Sequence, residues 1–130
     1  MTADQIETCD ALWREALEAG LVQYQRGMVT RSGRIIASVD PPCVYTGAGV
    51  ARVSLADVRL DWSHPATISL VAALACGQDD FWLPDYDADL DRHGRGYHMR
   101  PRFGWASASA SAPTKAEAIL RAILATRGER

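Results

Sequence analysis

The side chains best suited to chemistry lie within residues 79–102. Six aspartates in this segment are followed by four arginines. Asp85, Asp87 and Asp89 have the spacing of the first ligands in an EF-hand calcium loop, where alternate carboxylates share one hard cation. That loop also requires a glycine and a bidentate glutamate further on, and the sequence has neither at the required position. We therefore assign no metal ligand and no cofactor, and expect residues 85–96 to form a solvated acidic surface loop.

Protein binding is the role we favour for this segment, with a partner that the sequence does not identify. Clustered charge beside an aromatic side chain is typical of a contact surface, because tryptophan and arginine are enriched at binding hot spots. A host factor is one candidate partner, and a homodimer is left open. The candidate contact residues are Trp82, Asp85, Asp87, Asp89, Asp91, Arg92 and Arg95.

Nucleic-acid binding is the first alternative, because arginine pairs with phosphate and aromatic rings stack on unpaired bases. Its candidate residues are Arg100, Arg102 and Lys115. Arg100 and Arg102 would lie on one face of a strand, since they are two residues apart. The aspartates upstream would repel a phosphate backbone, and a net charge of −2 gives no overall attraction. This alternative therefore ranks below protein binding.

A cation-dependent enzyme is the second alternative, and it would use Asp85, Asp87 and Asp89 together with His98. No histidine has a ligand-spaced His or Cys partner, and no serine or cysteine lies in a nucleophile turn such as Gly-x-Ser-x-Gly. The three cysteines have neither zinc nor redox spacing, so we interpret them as reduced thiols. We assign no catalytic residue and expect a protein without enzymatic activity.

Length and composition predict a single domain over residues 1–130. The chain is 48% hydrophobic and 23% charged, as in an ordinary globular protein, and its length is close to the commonest domain size. The sequence has no signal-peptide pattern and no run of about 20 apolar residues. We therefore expect a cytoplasmic protein with no membrane partner.

The first predicted helix has clear signals at both ends. Thr2 and Gln5 have the spacing of a capping box, and Gly20 is placed to end the helix in a left-handed conformation. An apolar stripe at helical period, which includes Trp13, predicts the buried face. Asp10 lies on the other face, which we expect to be exposed to water.

Two further helices are predicted in the second half of the chain. Ser63 is the expected N-cap of the first of them, with Pro65 in its first turn. Thr114 and Glu117 have capping-box spacing at the start of the second, which closes the chain.

The region between the first two helices reads as β-structure. Residues 28–30 and 35–39 are strand-like and flank a turn that contains Gly33, where a positive φ is expected. Pro41 and Pro42 are expected to end that pairing, because proline has no N–H to donate. Residues 97–112 alternate apolar and small polar side chains, which predicts a half-exposed strand.

Asp61, Ser63, Pro65 and Ala66 stand at the start of one predicted helix, and Ser111 through Ala122 cover the start of the last one. On these residues the last part of the chain, residues 61–125, resembles a group of small phage and prophage proteins with an α/β/α sandwich domain. The resemblance implies a phage or integrated-element origin and a compact sheet–helix fold, and it implies no activity.

The strand-to-helix junction before the last helix also resembles the end of a double-stranded RNA-binding domain. In that family a lysine cluster at the helix start contacts phosphates. Lys115 matches this cluster, but Ala116 and Glu117 stand where further lysines would be expected.

Together these patterns predict an α+β fold, with a mainly antiparallel sheet packed by an N-terminal helix and two further helices. The favoured function is a small phage-type accessory protein, without catalytic activity, that acts through protein contacts.

Overall fold

The described chain consists of helices and small antiparallel sheets. A computed structural model of the protein describes residues 1–75, 86–90, 97–101 and 110–125. Within these ranges the elements in chain order are α1 (Ala3–Glu18), β1 (Ile36–Val39), β2 (Pro42–Thr46), β3 (Gly49–Arg52), a 3₁₀ turn (Leu55–Asp57), α2 (Pro65–Ala75), β4 (Tyr86–Leu90), β5 (Tyr97–Pro101), β6 (Ala110–Ala112) and α3 (Lys115–Ala125). The predicted α+β class is confirmed.

Helix α1 begins and ends as its local sequence predicts. The Thr2 hydroxyl accepts from the Gln5 N–H at 3.2 Å, and the Gln5 side chain accepts from the Thr2 N–H at 2.9 Å. At the other end Gly20 has φ 71°, and the Leu21 N–H donates to the Ala16 carbonyl at 3.0 Å. This is the Schellman arrangement, in which a left-handed residue allows the chain to satisfy the last helical carbonyls.

The first sheet has the order β1-β2-β3 and is antiparallel throughout. Residues 28–30 and 35–39 pair only through a short bridge between Val29 and Ile35. Their turn is as predicted, since Gly33 has φ 86° and donates to the Thr30 carbonyl at 2.9 Å. The strand β1 ends at Val39, before the two prolines, and Pro42 begins β2. Val39 pairs with Pro42 in the β1–β2 hairpin, because a proline can occupy the first position of a strand.

The second sheet has the order β4-β5-β6 and is also antiparallel. The surface loop expected over residues 85–96 was wrong in part, because Tyr86–Leu90 forms β4. The sequence Tyr-Asp-Ala-Asp-Leu alternates with a period of two, which is a strand pattern that the aspartates obscured. The single strand expected over residues 97–112 was wrong, because Tyr97–Pro101 forms β5 and Ala110–Ala112 forms β6, and these two strands pair antiparallel. Residues 102–109 lie outside the described ranges.

The start of α2 differs by one residue from the prediction. Pro65 is the first helical residue, so His64 rather than Ser63 occupies the N-cap. The His64 Nδ1 accepts from the Ala66 N–H at 3.1 Å. Ser63 instead donates to Asp61, from its hydroxyl at 2.7 Å and its N–H at 3.1 Å. The Ser63 hydroxyl bond lowers the pKa of Asp61, and the partial burial of this carboxyl opposes that effect.

One hydrophobic cluster joins the three helices to the first sheet. Cys9, Trp13 and Ala16 line the buried face of α1, and α3 contributes Ile119, Leu120 and Ile123. None of the helices in the described ranges has the length and apolar character needed to cross a membrane.

A buried hydroxyl connects α2 to the segment before β1. Thr67 is completely buried, and its Oγ1 accepts from the Val29 N–H and donates to the Val29 carbonyl, both at 3.1 Å. Because Val29 lies outside a regular strand, its N–H would otherwise lack a partner in the core. The helix side chain therefore takes the place of a neighbouring strand.

Thr67→Val should lower the free energy of unfolding by about 1–3 kcal/mol, because it leaves the Val29 N–H buried without a partner. Thr67→Ser is the control, since it keeps the hydroxyl and loses one methyl group, which is worth about 1 kcal/mol. Urea unfolding followed by circular dichroism measures both. A serine variant that is less stable than the valine variant would contradict this role of the hydroxyl.

The stability of the protein should fall at alkaline pH through Cys9. Burial raises the pKa of the Cys9 thiol from 9.0 to about 11, and a hydrogen bond with the Thr114 side chain opposes part of that rise. The unfolded thiol ionises first, so the free energy of unfolding should decrease from about pH 9 to about pH 11, by about 2–3 kcal/mol. Urea unfolding across this range should show a smaller decrease for Cys9→Ala. Equal decreases in the free energy of unfolding for the wild type and for Cys9→Ala would contradict this contribution of the Cys9 thiol.

Candidate functional site

The structure places four of the sequence-predicted site residues. Asp87 and Asp89 lie in β4, Arg100 lies in β5, and Lys115 is the first residue of α3. The backbone register sets Asp87 opposite Arg100. Six predicted residues lie outside the described ranges, namely Trp82, Asp85, Asp91, Arg92, Arg95 and Arg102.

The described positions separate two of the three basic residues of the nucleic-acid hypothesis, Arg100 and Lys115. Tyr97 of β5 pairs with Ala112 of β6, three residues before Lys115. Arg100 is three residues further along β5, which corresponds to roughly 10 Å. The backbone therefore places Arg100 and Lys115 towards opposite ends of the β5–β6 pair.

The register also sets Asp89 opposite His98, a position that the cation-dependent alternative would use. In the part of the chain whose side chains are described, no group of three or more His, Cys, Asp or Glu side chains could hold a metal ion. The side chains of Asp85, Asp87 and Asp89 lie outside that part, so this hypothesis stays a prediction.

A cluster of exposed apolar side chains lies on the outer face of the first sheet. Ile35, Tyr45 and Val50 are 42%, 43% and 60% exposed, and we call them the outer-face cluster. Tyr45 faces Val50 in the β2–β3 register, and the Tyr45 N–H donates to the Ile35 carbonyl at 2.8 Å. Backbone pairing thus fixes these three residues side by side, while the next side chain of β2, Val44, is buried on the inner face.

Arginines surround the outer-face cluster. The Arg26 guanidinium donates to the Tyr45 hydroxyl at 3.4 Å. Arg52 follows Val50 by two residues along β3, so both side chains leave the same face. Arg34 lies with Ile35 and Tyr45 along a shallow groove of about 310 Å³, and the residues that line this groove include no carboxylate. The exposed apolar surface is therefore bordered by positive charge.

A second feature is a cleft of about 520 Å³ behind the turn that contains Gly33. Arg31, Arg34 and Arg59 are among the residues that line it, and we call it the arginine cleft. Val44, Val53 and Val58 also line it. The cleft combines positive charge with an apolar lining.

A smaller cavity of about 240 Å³ lies between α1 and the segment around Leu60. Trp13 packs edge-to-face against Tyr24 and Trp62 there, with ring centroids 5.4 and 5.7 Å apart. Trp13 is only 4% exposed, and among the described residues its Nε1 has no hydrogen-bond partner. Because these rings belong to the hydrophobic core, we treat this cavity as part of the core packing and not as a candidate binding site.

Asp10 connects these features. Its Oδ1 accepts from the Trp62 Nε1 and from the Arg31 Nη2, each at 2.8 Å. The expectation that Asp10 lies on a face exposed to water was therefore wrong, since its side chain is only 20% exposed. The error arose because helical periodicity cannot show which partners approach a polar face from distant parts of the chain.

Comparison with protein-family models, with curated proteins and with solved structures finds no match to this chain. The candidate sites therefore rest on the geometry of the described residues.

Sequence reasoning missed both the outer-face cluster and the arginine cleft. The signal for the cluster was present, because Tyr45 and Val50 lie in the region between the first two helices that was predicted to be β-structure. Nothing local indicated the cleft. Arg31 and Arg34 were assigned only to a turn, and Arg59 reaches the same cleft from 25 residues further along the chain.

Asp10→Ala should lower the free energy of unfolding by about 2–3 kcal/mol, because it removes two hydrogen bonds to a charged group and leaves the Trp62 N–H without its acceptor. Asp10→Asn should lower the free energy of unfolding by less than Asp10→Ala does, since it keeps an acceptor oxygen. Glu7→Ala, an exposed change on the same helix, should stay within about 0.5 kcal/mol of the wild type. Chemical unfolding monitored by tryptophan fluorescence provides the comparison. Equal changes in the free energy of unfolding for Glu7→Ala and Asp10→Ala would contradict this role of the Asp10 carboxylate.

Proposed function

We propose that this protein is a non-catalytic accessory module that acts through protein contacts on the outer face of its first sheet. The observation that carries this proposal is the outer-face cluster of Ile35, Tyr45 and Val50, fixed side by side by strand pairing. Contiguous exposed apolar side chains mark interaction sites on soluble proteins. Tyrosine and arginine are also the residue types that contribute most at binding hot spots.

The partner that best fits this surface has apolar side chains flanked by carboxylates. Arg26, Arg34 and Arg52 surround the cluster and would meet such carboxylates, while the apolar side chains pack on Val50 and Tyr45. A second copy of the chain is a poorer fit, because two such faces would bring like charges together. An acidic segment of another protein is therefore the proposed occupant.

A phage- or prophage-type role, a host partner and a cytoplasmic location belong to the same proposal. They rest on the resemblance over residues 61–125. Asp61, Ser63 and Pro65, which are among the residues that carry it, lie in the turn that begins α2. The contact surface predicted around Trp82 and the acidic segment stays a prediction beside the outer-face cluster.

Val50→Asp should abolish the main protein contact, because it sets a carboxylate in the centre of the cluster, against the acidic partner. Ala11→Asp is the matched control, since it adds the same charge at an exposed position on α1. Tagged wild type and both variants would be used to capture partners from a host lysate after nuclease treatment. The captured protein would then be titrated against each purified variant.

We expect at least about tenfold weaker binding for Val50→Asp and unchanged binding for Ala11→Asp. Binding should also weaken as salt is raised, because the arginines contribute through charge. Equal binding of the two variants to every captured protein would overturn the outer face as the contact surface. Loss of all capture after nuclease treatment would favour the nucleic-acid alternative.

A further inference from the structure

The arginine cleft has the charge of an anion-binding site. Arg31, Arg34 and Arg59 are among the residues that line it, and Asp57 is the one acidic residue among them. The chain as a whole has a net charge of −2, so this positive charge is local. A cleft with walls of low polarity concentrates the field of the charges that line it.

The arginines differ in how many donors they have free. The Arg31 Nη2 is held by the Asp10 carboxylate at 2.8 Å and the Leu60 carbonyl at 3.3 Å. The Arg59 Nη1 is held by two backbone carbonyls at 3.0 and 3.1 Å, so its guanidinium is oriented by the chain. The Arg34 guanidinium makes no hydrogen bond or ion pair with any described side chain or backbone group. Two lining residues of the cleft thus differ: the Arg59 guanidinium is oriented by the backbone, and the Arg34 guanidinium is unpaired among the described residues.

The other residues that line the cleft suit a ligand that has an uncharged organic part, which we call its body, as well as a charged group. Val44, Val53 and Val58 provide apolar surface, and Ser32 and Ser54 provide hydroxyl groups. The volume of about 520 Å³ falls within the range of small-molecule sites, and it exceeds what a bare phosphate ion would fill.

We propose that the arginine cleft binds a phosphate monoester that carries a hydroxyl-bearing body, such as a sugar phosphate or a nucleoside monophosphate. Arg34 and Arg59 would each present a planar pair of donors to the phosphate, a geometry that guanidinium matches better than ammonium does. Asp57 would accept a hydrogen bond from a hydroxyl of the body, and the valines would pack against its carbon skeleton. This site is separate from the outer-face cluster, although Arg34 borders both.

Isothermal titration calorimetry at low ionic strength tests the proposal with four probes. Ribose 5-phosphate and adenosine 5′-monophosphate carry the phosphate and the body, adenosine has the body alone, and inorganic phosphate has the charge alone. We expect the two esters to bind and adenosine not to bind. Tighter binding of the monophosphate than of the sugar phosphate would assign the ligand as a nucleotide, and the reverse order would assign it as a sugar phosphate.

Arg34→Gln should weaken ester binding by about tenfold or more, whereas Arg52→Gln, an exposed change outside the cleft, should leave it within about twofold. Val50→Asp should bind the esters as the wild type does, so failure of the outer-face proposal and failure of this one can be told apart. The absence of binding by both esters would overturn the proposal. The proposal would also be overturned if inorganic phosphate bound as tightly as the esters. Equal losses of ester affinity in Arg34→Gln and Arg52→Gln would overturn it too.

Discussion

The carboxylate of Asp10 holds together three parts of the chain that are distant in sequence. One oxygen accepts from Arg31 in the turn before β1 and from Trp62 in the segment before α2, while Asp10 itself belongs to α1. Trp62 is thereby fixed against Trp13 in the core. Because both donors converge on one oxygen, the first sheet, the start of α2 and the N-terminal helix have a common point of attachment. Arg31 is also positioned by this contact at the wall of the arginine cleft.

One short turn contributes residues to both proposed binding surfaces. Residues 31–34 connect the segment that contains Val29 to β1, and Gly33 gives this turn its shape. The turn adds Arg34 to the border of the outer-face cluster, and it contributes Arg31 and Arg34 to the cleft. A bound anion would compete for the charge of Arg34 with an acidic protein partner. The structure thus links the two sites through a single side chain.

Local chemistry was predictable from the sequence, and contacts between distant segments were not. The capping box of Thr2 and Gln5 and the left-handed turns at Gly20 and Gly33 depend on a few neighbouring residues, and all were predicted correctly. The strand Tyr86–Leu90 was missed because its aspartates outweighed its alternating pattern. The surroundings of Asp10 and the convergence of Arg34 and Arg59 depend on how whole elements pack. No spacing rule along the chain contains that information.

The two hydrogen bonds between Thr67 and Val29 bear on local opening of the folded protein, which amide hydrogen exchange measures. A segment without regular strand pairing would ordinarily exchange its amide hydrogens quickly through local fluctuations. The Val29 amide can exchange only if the Thr67 hydroxyl withdraws, and that hydroxyl is carried by a fully buried residue of α2. Exchange at Val29 is therefore coupled to the position of a buried side chain of α2, although Val29 and α2 share no strand and no helix.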